Sequence, residues 1–269
     1  MIITNMPNIV VKQFDGTLEP LEKDDVGFST TKFKIFKTIV NLIGETAGEV
    51  NFEMSPEGLS ISCMDNSHVS YVICDLPKDF FEEFQVEKNQ TYGVNMISLM
   101  KIFSISRIDI GLTIKFLDDS IMFFIKSDHL DKTYNIKQMD IDTEPLAIPD
   151  IDWEYNITIN SRSLYDVLHE VGEVSDSCEM KIKNSMIQFG AEGPIGSLKI
   201  KIEPEDIEVN TTDKYLKLAL GTKYLQNFVK ARNICGNTSM SISKEAPIKM
   251  TYDIGDGGFI HSYIAPKIY

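Results

Sequence analysis

Residues 39–61, IVNLIGETAGEVNFEMSPEGLSI, and residues 167–189, VLHEVGEVSDSCEMKIKNSMIQF, share one pattern of apolar side chains. A shift of 128 positions aligns Ile39 with Val167, Phe52 with Met180, and Gly44-Glu45 with Gly172-Glu173. A shift of 126 positions extends the match from residues 99–116 to residues 225–242. Self-similarity over such long stretches predicts one structural unit that occurs twice in the chain.

The sequence pattern of each copy predicts several strands and two helices. Apolar residues alternate at 50–54, 110–116, 155–159, 198–202 and 248–252, as in half-buried antiparallel strands. Helical spacing occurs at 31–44, 95–107, 161–172 and 221–233. We therefore expect an α+β fold of two similar domains, each with antiparallel sheets and two helices.

The expected domain boundaries follow from the same patterns. The first domain should cover residues 1–126, including an N-terminal extension at about 1–22, and the second should cover 153–269. Residues 127–152 are polar, then acidic with two prolines, and predict an extended linker. The first strand lies either at 9–14 or at 24–28.

Composition excludes several classes of protein. With 269 residues and 43% hydrophobic content, the chain can build two cores. Its N-terminus lacks the pattern of a signal peptide, and no run of apolar residues is long enough to span a membrane. The four cysteines show no metal-type spacing, which is typical of reduced, mostly buried thiols in an intracellular protein.

The net charge of −14 would argue against nucleic acid if the charges were spread evenly. The four helical segments, however, hold nine lysines and arginines and only two carboxylates. On a helical wheel these cations lie opposite the apolar stripes, whereas ordinary solvated faces usually mix both signs. We predict a surface that contacts phosphate groups without regard to sequence, formed by Lys32, Lys34, Lys37, Lys101, Arg107, Arg162, His169, Lys223, Lys230 and Arg232.

Four separated motifs together resemble the proliferating cell nuclear antigen family, the eukaryotic and viral sliding clamps. They are SCMDNSHVSYV (62–72), TYGVNMISLMKI (91–102), MDIDTEPLAIPD (139–150) and YIAPKI (263–268). Family members form a ring of three identical two-domain subunits whose helices line a central hole. The resemblance implies a ring-forming DNA-clamp fold, a homotrimer around DNA, and a role as DNA polymerase processivity factor without enzymatic activity or cofactor.

The resemblance also implies how partner proteins bind. A hydrophobic pocket should receive a short peptide from a DNA polymerase, the clamp loader and other replication or repair proteins, in the nucleus or at a site of viral DNA replication. Its expected residues are Met64, His68, Val69, Tyr71, Leu146, Ile148, Pro149, Pro247, Tyr263, Ile264, Ala265 and Pro266.

For ring closure, the resemblance implies that residues 120–126 of one subunit pair with residues 197–203 of the next. Open strand edges favour such pairing. The expected interface residues are Ser120, Ile121, Phe123, Ile125, Ser197, Leu198, Ile200 and Ile202.

No catalytic constellation is visible in the sequence. Asp65, Ser67 and His68 lie close together, but the chain has no GxSxG elbow, and His169-Glu170 lacks the second histidine of a zinc motif. Residues 253–258 lack the Lys-Ser/Thr of a phosphate loop and predict a turn. Two other functions stay open: a subunit of a checkpoint-type heterotrimeric clamp, and a metal-dependent phosphoryl-transfer enzyme using acidic stretches such as 203–206.

Overall fold

The computed structural model describes residues 18–106, 110–127, 130–142, 146, 148–183, 186–211 and 215–267. Four α-helices lie within these residues: α1 (Phe33–Thr46), α2 (Met96–Ser104), α3 (Ser161–Val174) and α4 (Thr222–Val229). The first half contains strands β1 (Val26–Thr30), β2 (Glu49–Ser55), β3 (Gly58–Met64), β4 (Ser70–Pro77), β5 (Glu83–Gln85), β6 (Gln90–Asn95), β7 (Gly111–Phe116), β8 (Ser120–Ser127) and β9 (Leu130–Lys137). The second half contains β10 (Tyr155–Asn160), β11 (Ser177–Lys183), β12 (Met186–Gly193), β13 (Gly196–Ile202), β14 (Asp206–Val209), β15 (Tyr215–Gly221), β16 (Asn237–Ile242), β17 (Ile248–Gly255) and β18 (Gly258–Ile264).

The strands form three antiparallel sheets. One has five strands in the order β5-β1-β7-β8-β9, and another has four in the order β13-β12-β11-β15. The third has nine strands in the order β14-β10-β16-β17-β18-β4-β3-β2-β6 and therefore crosses from one half of the chain to the other. Its crossing point is the antiparallel pair β18 and β4, where Ile260 lies opposite Cys74 and both side chains are buried.

The expected duplication is confirmed by the positions of the elements. α3 begins 128 residues after α1, and β11 begins 128 residues after β2. β16 begins 126 residues after β7, which reproduces the second offset. The offset changes because the connections inside the two copies differ in length, while the elements themselves keep their order.

The helices pack their apolar faces on the sheets, as the helical spacing predicts. In α1 the buried side chains include Phe33, Phe36, Val40 and Ile43. α2 begins at an Asn95 cap, whose Oδ1 accepts a hydrogen bond from the Ser98 N–H at 2.8 Å. Asn160 caps α3 in the same way, accepting from the backbone N–H groups of Arg162 and Ser163.

α1 and α3 extend past their predicted ends, which lie at two glycines. Glycine is a common helix terminator, but Gly44 and Gly172 lie inside the helices. A Cβ on Gly44 would come within 2.6 Å of Met100, and one on Gly172 would come within 1.9 Å of the Gln226 amide. These equivalent glycines are sites of close contact between the two helices of each half rather than helix ends, and both helices continue for two more residues.

The linker prediction is wrong over its first part. Residues 130–137 form β9, which pairs with β8 along its whole length. One side of β9 carries the half-buried Lys132, Tyr134 and Ile136, and the other side is exposed and polar. An edge strand with few apolar residues has the composition of a linker, and this obscured the alternation. The described residues between 138 and 154 contain no longer strand, only a bridge between Gly93 and Met139.

The expected subunit edge at 120–126 is also wrong. β8 is hydrogen-bonded to β7 on one side and to β9 on the other, so it offers no free edge. Ile121, Phe123 and Ile125 are buried in the core, and Ser120 is buried as well. On this side of the five-stranded sheet the edge strand is β9, the other edge being β5, whereas β13 does lie at one edge of its own sheet, as expected.

The first strand is β1, in agreement with the second of the two expected positions; residues 9–14 lie outside the described residues. Residues 18–25 pack across the five-stranded sheet before β1 begins. The Thr113 hydroxyl donates to the Glu19 carbonyl at 2.8 Å, and Lys126 forms an ion pair with the Glu19 carboxylate at 2.7 Å. Asp25 pairs with Lys115 at 2.6 Å, so the segment 18–25 is held to the sheet near both of its ends.

Candidate nucleic-acid interface and peptide pocket

The lysines of the first half differ in their exposure to solvent. Lys34 and Lys101 are exposed on the outer faces of α1 and α2, opposite the buried stripes. Lys37 is half-buried, with its Nζ 3.5 Å from the Ser106 carbonyl, and Lys32 lies over the Phe80 ring. Arg107 lies outside the described residues. Lys34 and Lys101 are therefore the cations of this half best placed for phosphate.

In the second half most of the expected cations already have partners. Arg162 forms an exposed ion pair with Asp166 at 3.2 Å, and the His169 imidazole lies 3.8 Å from the Glu173 carboxylate. Lys223 is exposed on α4. Exposed pairs of this kind are weak, so Arg162 can still exchange its partner for a phosphate group.

Lys230 and Arg232, which follow α4, have structural contacts of their own. Lys230 pairs with Glu45 of α1 and so links the two halves of the chain. The Arg232 guanidinium lies 3.5 Å from the centre of the Tyr165 ring, and its Nε is buried without a hydrogen-bond partner among the described residues. Arg232 is thus held against Tyr165, which makes it the least available of the expected DNA contacts.

The excess of positive charge on the helices is smaller than the sequence suggested. Within their observed bounds the four helices hold five lysines and arginines and four carboxylates. Two of these acids, Glu45 and Glu173, lie just beyond the predicted helix ends but within the observed helices. The described residues that flank the helices add the cations Lys32, Lys230 and Arg232. The face is therefore mixed in charge, and its most accessible described cations are Lys34, Lys101 and Lys223.

A separate apolar pocket lies where the two halves meet beside β4 and β18. It encloses about 160 Å³ and is lined by Met64, His68, Val69, Ser70, Tyr71, Leu146, Ile148, Pro149, Ile151, Pro247, Tyr263 and Ala265. Ten of the twelve expected residues are therefore brought together. Ile264 is fully buried beneath the pocket, and Pro266 lies in an adjoining groove that shares Pro247 and Ala265 with it. Ser70 and Ile151 also line the pocket but were not expected there.

The loop between β3 and β4 forms one wall of this pocket and is held by Asp65. One carboxylate oxygen accepts from the N–H groups of Val69 and Ser70 at 2.8 and 2.7 Å, and the other accepts from Ser67 N–H at 3.0 Å. Burial alone would raise the pKa of Asp65, but these hydrogen bonds and one from Tyr224 hold the pKa below its ordinary value.

These hydrogen bonds give Asp65 a structural role in the Asp-Ser-His cluster of the sequence. Its two oxygens are occupied by backbone N–H groups, so the carboxylate orients the loop. His68 has a left-handed backbone conformation with φ 56°, and its exposed side chain lines the pocket. In the described residues no group of three His, Cys, Asp or Glu could hold a metal ion, and no helix there is long and apolar enough to cross a membrane.

Comparisons with known proteins agree over nearly all of the described chain. Residues 28–145 match the family model "Proliferating cell nuclear antigen, N-terminal domain", and residues 147–267 match the corresponding C-terminal domain. A proliferating cell nuclear antigen from Chaetomium thermophilum is 28% identical over 246 residues, covering 87% of this chain and 95% of that protein. The crystal structure of proliferating cellular nuclear antigen from Entamoeba histolytica superposes with a TM-score of 0.82 at 26% identity, covering 90% of this chain and 98% of that one.

Proposed function

The chain belongs to the proliferating cell nuclear antigen family of sliding clamps, which are not enzymes, and we propose that it works as a homotrimeric ring around duplex DNA. In this proposal the ring tethers a DNA polymerase and other replication and repair proteins through the pocket beside β4 and β18. The observation that carries the proposal is that two different edge strands, β9 and β13, have internal counterparts, β18 and β4, that pair with each other within the chain.

One backbone hydrogen bond establishes which residues of β9 direct their N–H and C=O groups toward β8. The Gln138 N–H donates to the Asp119 carbonyl at 3.0 Å, at the end of the β8-β9 ladder. In an antiparallel ladder the direction of the backbone groups alternates. The N–H and C=O groups of Asp131, Thr133, Asn135 and Lys137 therefore point away from β8 and are free to pair with another strand.

The directions of the backbone groups of β13 follow from the turn that connects it to β12. β12 and β13 are joined by two residues, which makes Gly193 and Gly196 a hydrogen-bonded pair. Alternation then directs the backbone groups of Ser197, Lys199 and Lys201 outward, and those of Leu198 and Ile200 toward β12. Each of the two edges thus offers a row of unpaired backbone donors and acceptors.

The duplicated fold supplies a template for joining these edges. β9 is the counterpart of β18, and β13 is the counterpart of β4, so the internal β18-β4 ladder is the same junction within one chain. Following the observed registers from strand to strand aligns β9 with β18 at a shift of 128 and β4 with β13 at a shift of 126. The internal register would then put Thr133 opposite Lys199 and Asp131 opposite Lys201. In the template these pairs are His261 with Ile73 and Phe259 with Asp75.

The transferred register agrees with the directions of the backbone N–H and C=O groups in β9 and β13. In the β18-β4 junction the Ala265 N–H donates to the Val69 carbonyl at 2.9 Å, so the pair of His261 and Ile73 is a hydrogen-bonded one. Its counterparts, Thr133 and Lys199, are residues whose backbone groups point outward. The duplication and the backbone alternation, which are independent, therefore support the same pairing, and Asp131 would oppose the positive Lys201.

Burial also supports this pairing. Tyr134, Leu198 and Ile200 are half-buried at their open edges, whereas their counterparts in the internal junction, Ser262, Val72 and Cys74, are buried. A neighbouring strand would cover the remaining apolar surface. Because the two edges differ, the contact is head-to-tail, and such contacts close into rings when the rotation allows it. Three two-domain subunits are the number that the family resemblance implies.

Sliding follows from closure rather than from tight binding. A closed ring cannot leave duplex DNA sideways, so its phosphate contacts can be few and independent of sequence. Lys34, Lys101 and Lys223 supply such contacts, and the carboxylates on the helices weaken the attraction to the phosphate groups. A separate clamp loader would open the ring, and the protein would act in the nucleus or at a site of viral DNA replication.

Light scattering over a range of protein concentrations tests the assembly. We expect a mass of about three times the 30.4 kDa of one chain. The loaded protein should also stay on circular DNA and leave when the DNA is cut. A chain that is monomeric at all concentrations would instead indicate a subunit of a heterotrimeric clamp, because its edges would then require other partners.

A further inference from the structure

The carboxylate of Asp65 connects the peptide pocket to helix α4. Its Oδ2 atom lies 3.3 Å from the Tyr224 hydroxyl, which donates across 159 positions of sequence from the other half of the chain. The same carboxylate accepts the N–H groups of Ser67, Val69 and Ser70. One side chain therefore satisfies three backbone donors of the pocket loop and is itself held by the helix that carries Lys223.

The pocket loop depends on these bonds for its shape. His68, at φ 56°, has a backbone conformation that is unfavourable for a residue other than glycine. Its N–H donates to the Asp65 carbonyl at 2.9 Å, and the Val69 carbonyl accepts from the Ala265 N–H at 2.9 Å. His68, Val69, Ser70 and Ala265 all line the pocket, so the wall and the loop conformation cannot change separately.

We propose that Asp65 is a positioning residue for peptide binding, which holds the His68 and Val69 wall in its binding conformation and is oriented by Tyr224. This inference rests on the proposed function of the pocket. Asp65 lies behind the wall and does not line the pocket itself. Its effect on the peptide is therefore indirect, through the fraction of molecules whose wall is correctly formed.

The size of the effect follows from this population argument. Without the carboxylate, the loop loses the acceptor for three N–H groups, and the strained His68 conformation is no longer enforced. A peptide that binds only the formed wall then has its affinity reduced by the fraction of the protein in that state. A fall of that fraction to about one tenth would weaken binding about tenfold.

The variants are chosen to separate positioning from general damage. Asp65→Ala removes all the acceptors, and we expect about tenfold weaker binding. Asp65→Asn keeps one carbonyl oxygen for Val69 and Ser70 and should restore affinity to within about threefold of wild type. Tyr224→Phe removes only the longest bond and should weaken binding about two- to fivefold. Asp79→Ala is the matched control and should change nothing, because Asp79 is exposed in the short 3-10 turn, Lys78–Phe80, that follows β4.

The probe is a fluorescein-labelled peptide with two consecutive phenylalanines, because an apolar pocket lined by tyrosines suits aromatic anchors. Its affinity for the full assembled protein is measured by fluorescence polarisation, with a peptide carrying alanines in place of both phenylalanines as the control. Hydrogen exchange of the Val69 and Ser70 amides is measured in parallel and should speed up in Asp65→Ala but much less in Asp65→Asn.

The outcomes separate the two proposals. If wild type binds the phenylalanine and alanine peptides equally, the pocket assignment itself is wrong. If wild type discriminates between them but Asp65→Ala and Tyr224→Phe bind as tightly as wild type, the positioning role is refuted and the pocket stands. If Asp65→Ala does not fold, Tyr224→Phe decides, since it keeps the Val69 and Ser70 acceptor, and binding as tight as in wild type then refutes the positioning role.

Discussion

Thr133→Pro is the substitution that most directly tests the proposed subunit contact. The Thr133 backbone N–H points away from β8, so a proline there removes no hydrogen bond within the subunit, and edge strands tolerate proline at such positions. Across the proposed contact, the same proline removes the donor to the Lys199 carbonyl and places its ring against the neighbouring strand. The monomer should therefore fold while the ring fails.

The magnitude can be worked from the ladder. A backbone acceptor left unpaired in a buried ladder costs about 1–3 kcal/mol, and a ring with three such junctions would be destabilised by about 3–9 kcal/mol. For assembly from three free subunits, the midpoint concentration varies as the square root of the dissociation constant. We therefore expect the midpoint of trimer dissociation to rise between about tenfold and a thousandfold.

The assay is sedimentation velocity at several concentrations, with circular dichroism and thermal unfolding as checks on the fold. Thr133→Ala is the matched control, because it removes the same exposed side chain but keeps the N–H. Ile200→Pro would be a poor test, since the Ile200 N–H faces β12 inside the subunit. The reasoning is refuted if folded Thr133→Pro dissociates at the same concentration as Thr133→Ala.

Three further predictions concern DNA, the pocket and the response to pH. Lys101→Glu should flatten the slope of log DNA affinity against log salt by up to about 0.9 for each phosphate group that the ring no longer neutralises, with the trimer mass unchanged; an unaltered slope would remove Lys101 from the DNA path. Ile148→Ala should weaken binding of the phenylalanine peptide by about 1–2 kcal/mol in calorimetry, and equal binding would count against the linker wall. Lys181 and Lys217 hold the pKa of Glu179 below its ordinary value of 4.5, so its stabilising effect is present above that pH and disappears as the pH falls through the folded-state pKa. Glu179→Gln should thus be less stable than wild type at pH 7 and approach it in acid; a constant difference in unfolding free energy would contradict this.

The sequence predicted the helices and most strands because their periodicity reports directly on burial. Phe33, Phe36, Val40 and Ile43 repeat at helical spacing and are buried together on α1. Helix ends were predicted less well, since Gly44 has two physical uses. A glycine can end a helix or allow close packing inside one, and only the position of Met100 decides between them.

The details of the functional surfaces could not be predicted from the apolar periodicity of the sequence, because they depend on contacts between distant residues. Lys230 and Glu45 are far apart in sequence, so their ion pair, and the lower charge of the helix face, became visible only in the fold. The pocket was expected from resemblance, but Asp65 was missed as the residue that holds it. A carboxylate that binds nearby N–H groups leaves no periodic signal, and its contact with Tyr224 exists only after the two halves pack.

The two junctions of the proposed ring differ in chemistry in a way that suits opening and reclosure. Inside the chain, β18 and β4 bury Ile260 against Cys74, and a covalent connection keeps the two halves together. In the proposed contact between subunits, Lys132 takes the place of Ile260, and lysines alternate with apolar residues along β13. Charged edge residues hinder random pairing of exposed strands, while Asp131 opposite Lys201 favours the correct register. The subunit contact is therefore the weaker junction, and a ring opened for loading would separate there rather than between its domains.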